Sequence, residues 1–502
     1  MMTELPDAIV GIDAGTTAVK ATVVTTGGAE LGTARVPVPV ARSGRGHAEQ
    51  SMTDVWDAVT ETVRAALTAA GEVRVRALGV TGQGDGAWLL DEHHEPAGPA
   101  VLWLDGRAAD RVERWERDGR AEAVRRATGS SLFPGALPVL LDELAHTDEG
   151  LLARARHQAN CKDWIRLRLT GVLETDASEA SRTYLDVATG DYSTTLLDAL
   201  GHQRFAAWLP PIAPPGSHRP LTARAATALG LPAGLPVVTG LVDTAAAGVG
   251  LGVTEPGQVY SILGTTAFLG TVRASADELR TNVGITVATG EEHAVLECLC
   301  PMSGTPNLDW VRTTLGLRDA DWDTIERQAG AVPPGAGGVL YLPYGAESGE
   351  RAPFADVHAS AAWLGLSTET GAGQLLRAVY EGLALSLREC RDALGAPGAN
   401  GTIRLCGGAA TSGLLCQIVA DVTGAVVERA VAAEPGARGA AALALRALSG
   451  TGLAEAAAAF VGELDVFTPD PEATAAHDAQ FRTFTAVRDA VRPHWPALRA
   501  LR

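Results

Sequence analysis

Runs of lysine and arginine are missing from this sequence, and acidic residues outnumber basic ones by 59 to 41, a formal net charge of −18 at pH 7. Phosphate backbones and anionic lipid headgroups both select clustered cations. We therefore expect neither nucleic acid nor a membrane among the partners of the protein. At 502 residues the chain is long enough for two or more domains, each with a core that needs no disulfides.

Signals for paired cysteines, export or a membrane span are also scarce. None of the six cysteines belongs to a CxxC motif, which favours scattered reduced thiols. The first seven residues carry no basic segment of the kind that opens a secretory signal. The stretch 235–253 has no Lys or Arg, but it contains Pro236 and Asp243, so a buried strand and a small-residue helix explain it better than a span. We expect a soluble, cytoplasmic protein.

Apolar strands alternate with helical patterns along the chain, which is typical of an α/β fold. Short strand-like runs occupy 8–12 and 19–24, and apolar residues at helical spacing follow at about 53–70. Seven prolines between 207 and 236 mark a transition. We predict a first domain over 1–252 and a second over 253–502, with the last fifty residues or so forming a helical appendage.

One short pattern occurs twice. Residues 9–17 read IVGIDAGTT and residues 260–266 read YSILGTT, in each case an apolar strand that enters a Gly-Thr-Thr turn before a second strand. Such a turn exposes backbone N–H groups and hydroxyls that bind phosphate oxygens. An ordinary hairpin turn would explain either copy alone. Two matching copies, with Asp13 and Lys20 beside the first, favour a pair of related phosphate-binding domains, and Asp13 is suited to hold Mg²⁺.

Asp243 follows the apolar strand at 236–242 and precedes the small-residue helix TAAAGVGLG. An acid at such a junction is often only a helix cap. Open α/β sheets, however, bind their ligands at the carboxyl ends of strands. A carboxylate there can accept the proton of a substrate hydroxyl as that hydroxyl attacks a γ-phosphate. We predict that Asp243 is the catalytic base.

Three further turns contain candidate binding residues, each with a plain structural alternative. The turn 82–86 (GQGDG) offers Gln83 and Asp85 as hydroxyl acceptors, although a tight hairpin would look the same. Trp103 begins WLDGR, where it supplies an apolar wall next to a pair of charges that are either structural or ligand-binding. Gly407 and Gly408 follow a strand and would let an adenine approach flat backbone, but glycine-rich turns of this kind are common.

Taken together, these motifs resemble the FGGY carbohydrate kinases over about residues 9–448. The resemblance rests on IDAGTTAVK, GHAEQ, TGQGDGAWLLD, WLDGR, LPVVTGLVDTAAAGVGLG, LPYGAESGERAPF and CGGAATSGLLCQIVADVTG, in the family's order. It implies two actin-like ATPase domains of ribonuclease H-like topology facing each other across a central cleft. It also implies ATP and Mg²⁺ as cofactors, a small sugar or polyol as substrate, and a possible homodimer.

The family's functional residues carry over to matching positions in this sequence. The resemblance implies that Asp13 helps to place Mg²⁺ and that Asp243 is the base. It implies a polyol site formed by Gln83, Asp85, Trp103 and Asp243. It implies a nucleotide site formed by Thr16, Thr17, Lys20, Gly264, Thr265, Thr266, Gly304, Gly407 and Gly408.

Differences between this sequence and other members of the resembled family suggest the substrate. Glycerol kinases carry Arg-Glu where this chain has Gly84-Asp85, and xylulose kinases carry Met-His there, so glycerol and D-xylulose fit less well. The GQGDG turn and the WLDGR stretch are most similar to those of erythritol kinases, which implies a four-carbon polyol phosphorylated on a terminal hydroxyl. L-xylulose or a pentitol is the alternative within the family. A non-kinase actin-like ATPase or a sugar-sensing protein is the alternative from another class.

Overall fold

The computed structural model describes residues 5–44, 46–396, 401–432 and 434–501. Its strands are β1 (Asp7–Ala14), β2 (Ala18–Thr25), β3 (Glu30–Pro37), β4 (Ala41–Ser43), β5 (His47–Gln50), β6 (Arg74–Gly82), β7 (Trp88–Leu90), β8 (Ala100–Val101), β9 (His157–Ala159), β10 (His218–Pro220), β11 (Pro236–Val242), β12 (Val259–Leu263), β13 (Ala267–Arg273), β14 (Ile285–Ala288), β15 (Val295–Leu299), β16 (Leu340–Leu342), β17 (Ala362–Leu364), β18 (Thr402–Cys406), β19 (Val426–Ala430) and β20 (Leu464–Phe467).

The α-helices are α1 (Met52–Ala70), α2 (Ala109–Asp118), α3 (Arg120–Thr128), α4 (Leu137–Thr147), α5 (Glu149–Arg154), α6 (Cys161–Thr170), α7 (Ala177–Ala180), α8 (Thr194–Leu200), α9 (Ala223–Leu229), α10 (Asp243–Gly250), α11 (Pro306–Thr314), α12 (Trp322–Gly330), α13 (Ala372–Ala393), α14 (Gly413–Thr423), α15 (Pro435–Ser449), α16 (Leu453–Ala458), α17 (Pro471–Val491) and α18 (Trp495–Arg499).

Two large sheets share one topology. The first has the order β10-β11-β6-β1-β2-β3, in which β1, β2 and β3 are antiparallel neighbours and β6 and β11 run parallel to β1. The second has the order β14-β15-β13-β12-β18-β19-β20, in which β13 is antiparallel to β12 while β18 and β19 run parallel to it. This repeated arrangement confirms the predicted pair of actin-like domains. Each Gly-Thr-Thr turn joins the first hairpin of its own sheet.

The alternation of apolar residues explains why these segments form strands. Val10 and Ile12 of β1 point to a core shared with Val59 of α1 and Val80 of β6. The second sheet buries a comparable set of side chains against α13 and α14. A third apolar cluster connects the halves, with Ile9 of the first sheet, Tyr260 of the second and Leu443 of α15.

The last fifty residues differ from the predicted helical appendage. Strand β20 pairs antiparallel with β19 and forms the edge of the second sheet. Phe484 of α17 and Trp495 of α18 are buried in the core of the second half. The prediction of a purely helical segment is wrong at β20, because a four-residue edge strand with only partial burial leaves little alternation to read.

All six thiols are free, and all except the half-buried Cys300 are buried. Across the described ranges, every helix is too short or too polar to cross a lipid bilayer.

Helix α15 lies directly on the first sheet, although it follows the strands of the second. A Cβ added to Gly11 of β1 would lie 1.8 Å from the Ala437 carbonyl oxygen of α15. The two backbones therefore touch at this point, and only a residue without a side chain fits between them.

We predict that Gly11→Ala destabilises the protein, because its methyl group forces α15 and β1 apart. Overpacking of this kind costs about 1–3 kcal/mol, and more where backbone must shift. Urea unfolding followed by circular dichroism measures the change. The control is Gly452→Ala, since Gly452 has a φ of −64° and open space around its Cα. Equal stability of both variants would contradict the prediction.

Candidate functional site

Asp13 stands at the carboxyl end of β1, opposite Lys20 in the register with β2. Its Oδ1 atom is buried and accepts no hydrogen bond from the described residues. Burial raises the pKa of Asp13 to about 6, while the charge of Lys20 opposes the shift. A carboxylate oxygen without a protein donor, at the rim of the turn that was predicted to bind phosphate, suits a hydrated divalent cation. The geometry therefore fits the predicted Mg²⁺ position.

The three residues of the first hairpin that were predicted to contact phosphates differ in their surroundings. Lys20 Nζ pairs with Glu434 Oε2 at 2.5 Å, so the cation is held by a residue that immediately precedes α15. Thr16 Oγ1 accepts a hydrogen bond from Trp103 Nε1 at 2.9 Å. That bond leaves the Thr16 hydroxyl hydrogen free to donate to a ligand. Thr17 is exposed at the tip of the turn.

Asp243 is the first residue of α10, directly after β11. Its Oδ1 accepts a hydrogen bond from the adjacent Thr244 N–H at 2.6 Å, and Val242 occupies the cap position without a side-chain bond. The helix-cap explanation therefore does not describe this residue. Burial, followed by the negative charge of Asp13, raises the pKa of Asp243 to about 7, against the opposing effect of the Thr244 N–H.

The turn after β6 supplies the predicted polyol acceptors. Asp85 has a φ of 60° and forms a two-bond ion pair with Arg182, each N–O distance being 3.2 Å. Burial raises the pKa of Asp85, and the guanidinium of Arg182 opposes that shift. Gln83 Nε2 donates to Gln50 Oε1 at 2.9 Å, whereas Gln83 Oε1 is buried without a partner in the described structure. An unused amide oxygen of this kind is available to a ligand hydroxyl.

Trp103 lies half-buried, and its bond to Thr16 ties the predicted polyol wall to the first phosphate turn. The charges that follow it are structural. Asp105 Oδ2 accepts from the Ala48 N–H at 2.6 Å, and Arg107 bridges Asp105 to Glu49. The structural alternative therefore holds for the charged pair of the WLDGR stretch.

Two residues beneath the GQGDG turn were not identified from the sequence. Arg182, which orients Asp85, is one of them. The other is Glu179 of α7, whose two carboxyl oxygens are buried and unbonded within the described residues, with Oε2 3.5 Å from where a Gly84 Cβ would lie. Burial raises the pKa of Glu179 well above its ordinary value, although Lys162 lies nearby. Its sequence context, a short polar stretch with other acids, looks like solvated surface.

The second turn, Gly264 to Thr266, is supported from below by the loop that follows β15. The Thr305 N–H donates to the Gly264 carbonyl at 2.8 Å. A Cβ on Gly304 would lie 2.3 Å from the Thr265 carbonyl oxygen, so the loop and the turn are in backbone contact. Tyr260 of β12 donates to the Thr244 carbonyl at 2.6 Å, which links this hairpin to the residue next to Asp243.

The remaining predicted nucleotide residues adjoin the same turn. Gly407 follows β18 with a φ of 96°, and its Cα packs against the backbone of Leu263. Gly408 opens a short 3₁₀ turn. One small cavity is lined by residues from these segments, among them Gly264, Gly304, Ala409 and Leu415. The structure thus gathers the second turn, Gly304 and the glycines after β18 in one place.

Comparisons with known proteins agree on a single family. Residues 8–250 match the model of the FGGY family of carbohydrate kinases, N-terminal domain, and residues 259–448 match the C-terminal domain. The chain is 34% identical to an erythritol kinase of Brucella abortus, over 99% of each chain. It is 30% identical to an L-xylulose/3-keto-L-gulonate kinase of Escherichia coli, over 88% of each. A solved xylulose kinase from Rhodospirillum rubrum superposes with a TM-score of 0.86 at 26% identity, covering 97% of this chain and 99% of that one.

The raised pKa of Asp243 predicts a measurable effect on stability. The folded protein binds the Asp243 proton more tightly than the unfolded chain does, so this stabilisation is present below about pH 4 and is lost as pH rises to about 7. Asp243→Asn removes the charged form, and we expect it to raise the free energy of unfolding at pH 8 by up to about 4 kcal/mol. At pH 4 the variant should differ little from the original protein.

Unfolding curves at the two pH values measure the difference. Asp319→Asn is the matched control, because Asp319 is exposed and forms no side-chain hydrogen bond among the described residues. If Asp243→Asn is no more stable than the original protein at pH 8, burial does not destabilise the charged form of this carboxylate.

Proposed function

The chain belongs to the FGGY family of carbohydrate kinases, and within the sugar or polyol kinase activity of that family we propose that it transfers the γ-phosphoryl group of ATP to a terminal hydroxyl of erythritol. The product is erythritol phosphate, and Asp243 is the general base. The observation that carries the substrate is the relationship to an erythritol kinase, which extends over 99% of both chains. We retain a cytoplasmic homodimer with domains at 1–252 and 253–502 as part of this proposal.

The proposed polyol site consists of Gln83, Asp85, Trp103 and Asp243. The free Oε1 of Gln83 and the Asp85 carboxylate provide acceptors at fixed positions, and hydroxyl groups are their natural donors. Arg182 adds a buried cation that keeps Asp85 in one orientation. A small, fully hydroxylated substrate satisfies such a site without an apolar surface of its own.

Asp243 acts on the attacking hydroxyl. A base is most effective when its pKa lies near the working pH, and about 7 meets that condition. The carboxylate accepts the hydroxyl proton while the substrate oxygen bonds to the γ-phosphorus. The bond from phosphorus to the bridging oxygen breaks, and ADP leaves with that electron pair. Asp13 would hold Mg²⁺, which supplies charge neutralisation for the phosphates when it is bound.

The nucleotide would be held by both turns. Its phosphates would contact Thr16, Thr17 and Lys20 in the first turn. They would also contact Gly264, Thr265, Thr266 and the supporting Gly304 in the second. Its adenosine end would lie near Gly407 and Gly408. The support for this assignment is that Gly264 and Gly304 line one small cavity and that Gly407 packs against the backbone of Leu263, the residue before the second turn.

A second candidate substrate is L-xylulose or a pentitol. The relationship to an L-xylulose/3-keto-L-gulonate kinase favours it, at 30% identity over 88% of each chain. The same base and the same turns would serve this reaction, so the two candidates differ only at the polyol site.

We predict that Asp243→Asn lowers kcat by at least about 10²-fold, because the amide cannot accept the hydroxyl proton. Affinity for ATP, measured by calorimetry, should change little. In the unmodified protein kcat/KM should rise with pH through about 7 as Asp243 ionises. Near-normal turnover of the variant would refute the assignment of the base.

We also predict that erythritol gives the highest kcat/KM in an ADP-release assay with erythritol, glycerol, L-xylulose, D-xylulose and the pentitols.

Asp85→Asn should raise KM for the accepted polyol, since the pair with Arg182 loses its charge. The control is Asp319→Asn, an exposed site away from the cleft. Higher kcat/KM with L-xylulose or a pentitol would transfer the assignment to the second candidate.

A further inference from the structure

The loop between β16 and β17 contains a buried carboxylate that is fully occupied by neutral donors. Glu350 Oε1 accepts from the Met302 N–H at 2.6 Å and from the Arg351 N–H at 2.9 Å, and Oε2 accepts from the Ser303 hydroxyl at 2.9 Å. Glu350 thereby ties the backbone of Arg351 to the segment that leads into Gly304. Because Gly304 contacts the second phosphate turn, the position of Arg351 is fixed relative to that turn.

The Arg351 guanidinium forms no ion pair within the described part of the chain, although the charge of Glu350 acts on it electrostatically. It is half-buried and lies over the ring of Phe133, 5.7 Å from the centroid. Phe133 belongs to the first half of the chain, so the side chain of Arg351 contacts the half that contains the proposed base. Burial lowers the pKa of Arg351, which reflects the cost of holding an unpaired cation away from water.

Arg351 also lies close to the chemistry. Asp85, Asp243, Arg182 and Arg351 all act electrostatically on the thiol of Cys300, the residue that follows β15. Phe133 lies two residues before Gly135, whose carbonyl accepts a hydrogen bond from the Gly86 N–H at 3.0 Å. Arg351 therefore contacts the segment beside the proposed polyol turn through Phe133, while Glu350 ties it to the second phosphate turn. A phosphoryl group passing from ATP to a hydroxyl beside Asp243 must move between these two turns.

We propose that Arg351 binds the equatorial oxygens of the transferring phosphoryl group and stabilises the charge that they carry in the transition state. This inference rests on the proposed phosphoryl transfer but not on the identity of the polyol. The planar fork of an arginine matches two phosphoryl oxygens at once. Arg351 stays protonated throughout, because the hydroxyl proton goes to Asp243 and the electron pair of the broken P–O bond leaves with ADP.

The test uses Arg351→Gln in the full chain and measures Mg·ATP hydrolysis without any polyol, where water is the acceptor. Removing one preorganised donor costs about 10²–10³-fold in turnover, and we expect a loss in that range. Affinity for Mg·ADP should be unchanged, because ADP lacks the transferred group. Arg351→Lys should recover part of the rate. Arg204→Gln is the control, since Arg204 also lies over a phenylalanine ring but on an exposed helix end.

A second measurement does not depend on turnover. Aluminium fluoride added to Mg·ADP mimics the transferring phosphoryl group, and the affinity that it adds should be lost in Arg351→Gln. Phe133→Leu removes the ring contact and keeps the cation, so it should retain both properties. An equal loss in Phe133→Leu would assign Arg351 to domain packing, and an unchanged aluminium fluoride complex in Arg351→Gln would overturn the proposal.

Two further outcomes separate this proposal from the choice of substrate. If the protein does not phosphorylate erythritol but Arg351→Gln impairs ATP hydrolysis, erythritol is refuted as the substrate and the phosphoryl-binding role of Arg351 is supported. If Arg351→Gln loses activity only toward a sugar acid such as gluconate, and its ATP hydrolysis is intact, the Arg351 cation binds a substrate carboxylate. That result would overturn the proposed phosphoryl role.

Discussion

The contact between helix α15 and strand β1 determines where both halves of the site lie. The backbone of Ala437 rests against Gly11, two residues before Asp13. Glu434, directly before the helix, pairs with Lys20 on the next strand. A helix that follows the second sheet is thus anchored at the phosphate turn of the first. Backbone contact of this kind tolerates little adjustment, because packed interiors lack the space for it.

Several buried carboxylates lie close together near this contact, and their burial and mutual repulsion are unfavourable for folding. Asp13 and Asp243 each lie in a desolvated position, and the charge of Asp13 adds to the effect of burial on Asp243. Asp85 and Glu179 extend the acidic region beneath the GQGDG turn. The charged form of Asp243 destabilises the fold at neutral pH, whereas Asp85 is needed to pair the buried Arg182 cation. Such an acidic cluster is what the proposed function requires, in which the site attracts a metal ion and abstracts a proton near neutral pH.

The repeated hairpins and the strand before Asp243 could be predicted from the sequence, because an apolar strand with a Gly-Thr-Thr turn is a local signal. Strand β11 occurs at the residues expected from its apolar run. The partners of the site residues could not be predicted in this way. Arg182 contacts Asp85 across 97 positions, and Glu434 reaches Lys20 from the other half of the chain. Such pairs depend on tertiary packing, and no periodic pattern records them.

This difference between local signals and tertiary packing also separates the two kinds of residue in the proposed site. The two Gly-Thr-Thr turns, which we propose bind phosphate, are shaped by their backbone, so their geometry follows from local sequence and recurs in both sheets. The proposed polyol acceptors are side chains whose directions are set from elsewhere: Gln83 by Gln50, and Asp85 by Arg182. A change at Gln50 or Arg182 would therefore redirect an acceptor without altering the GQGDG turn itself. If Gln83 and Asp85 bind the substrate as we propose, substrate choice depends on Gln50 and Arg182 as well as on the residues that contact the polyol.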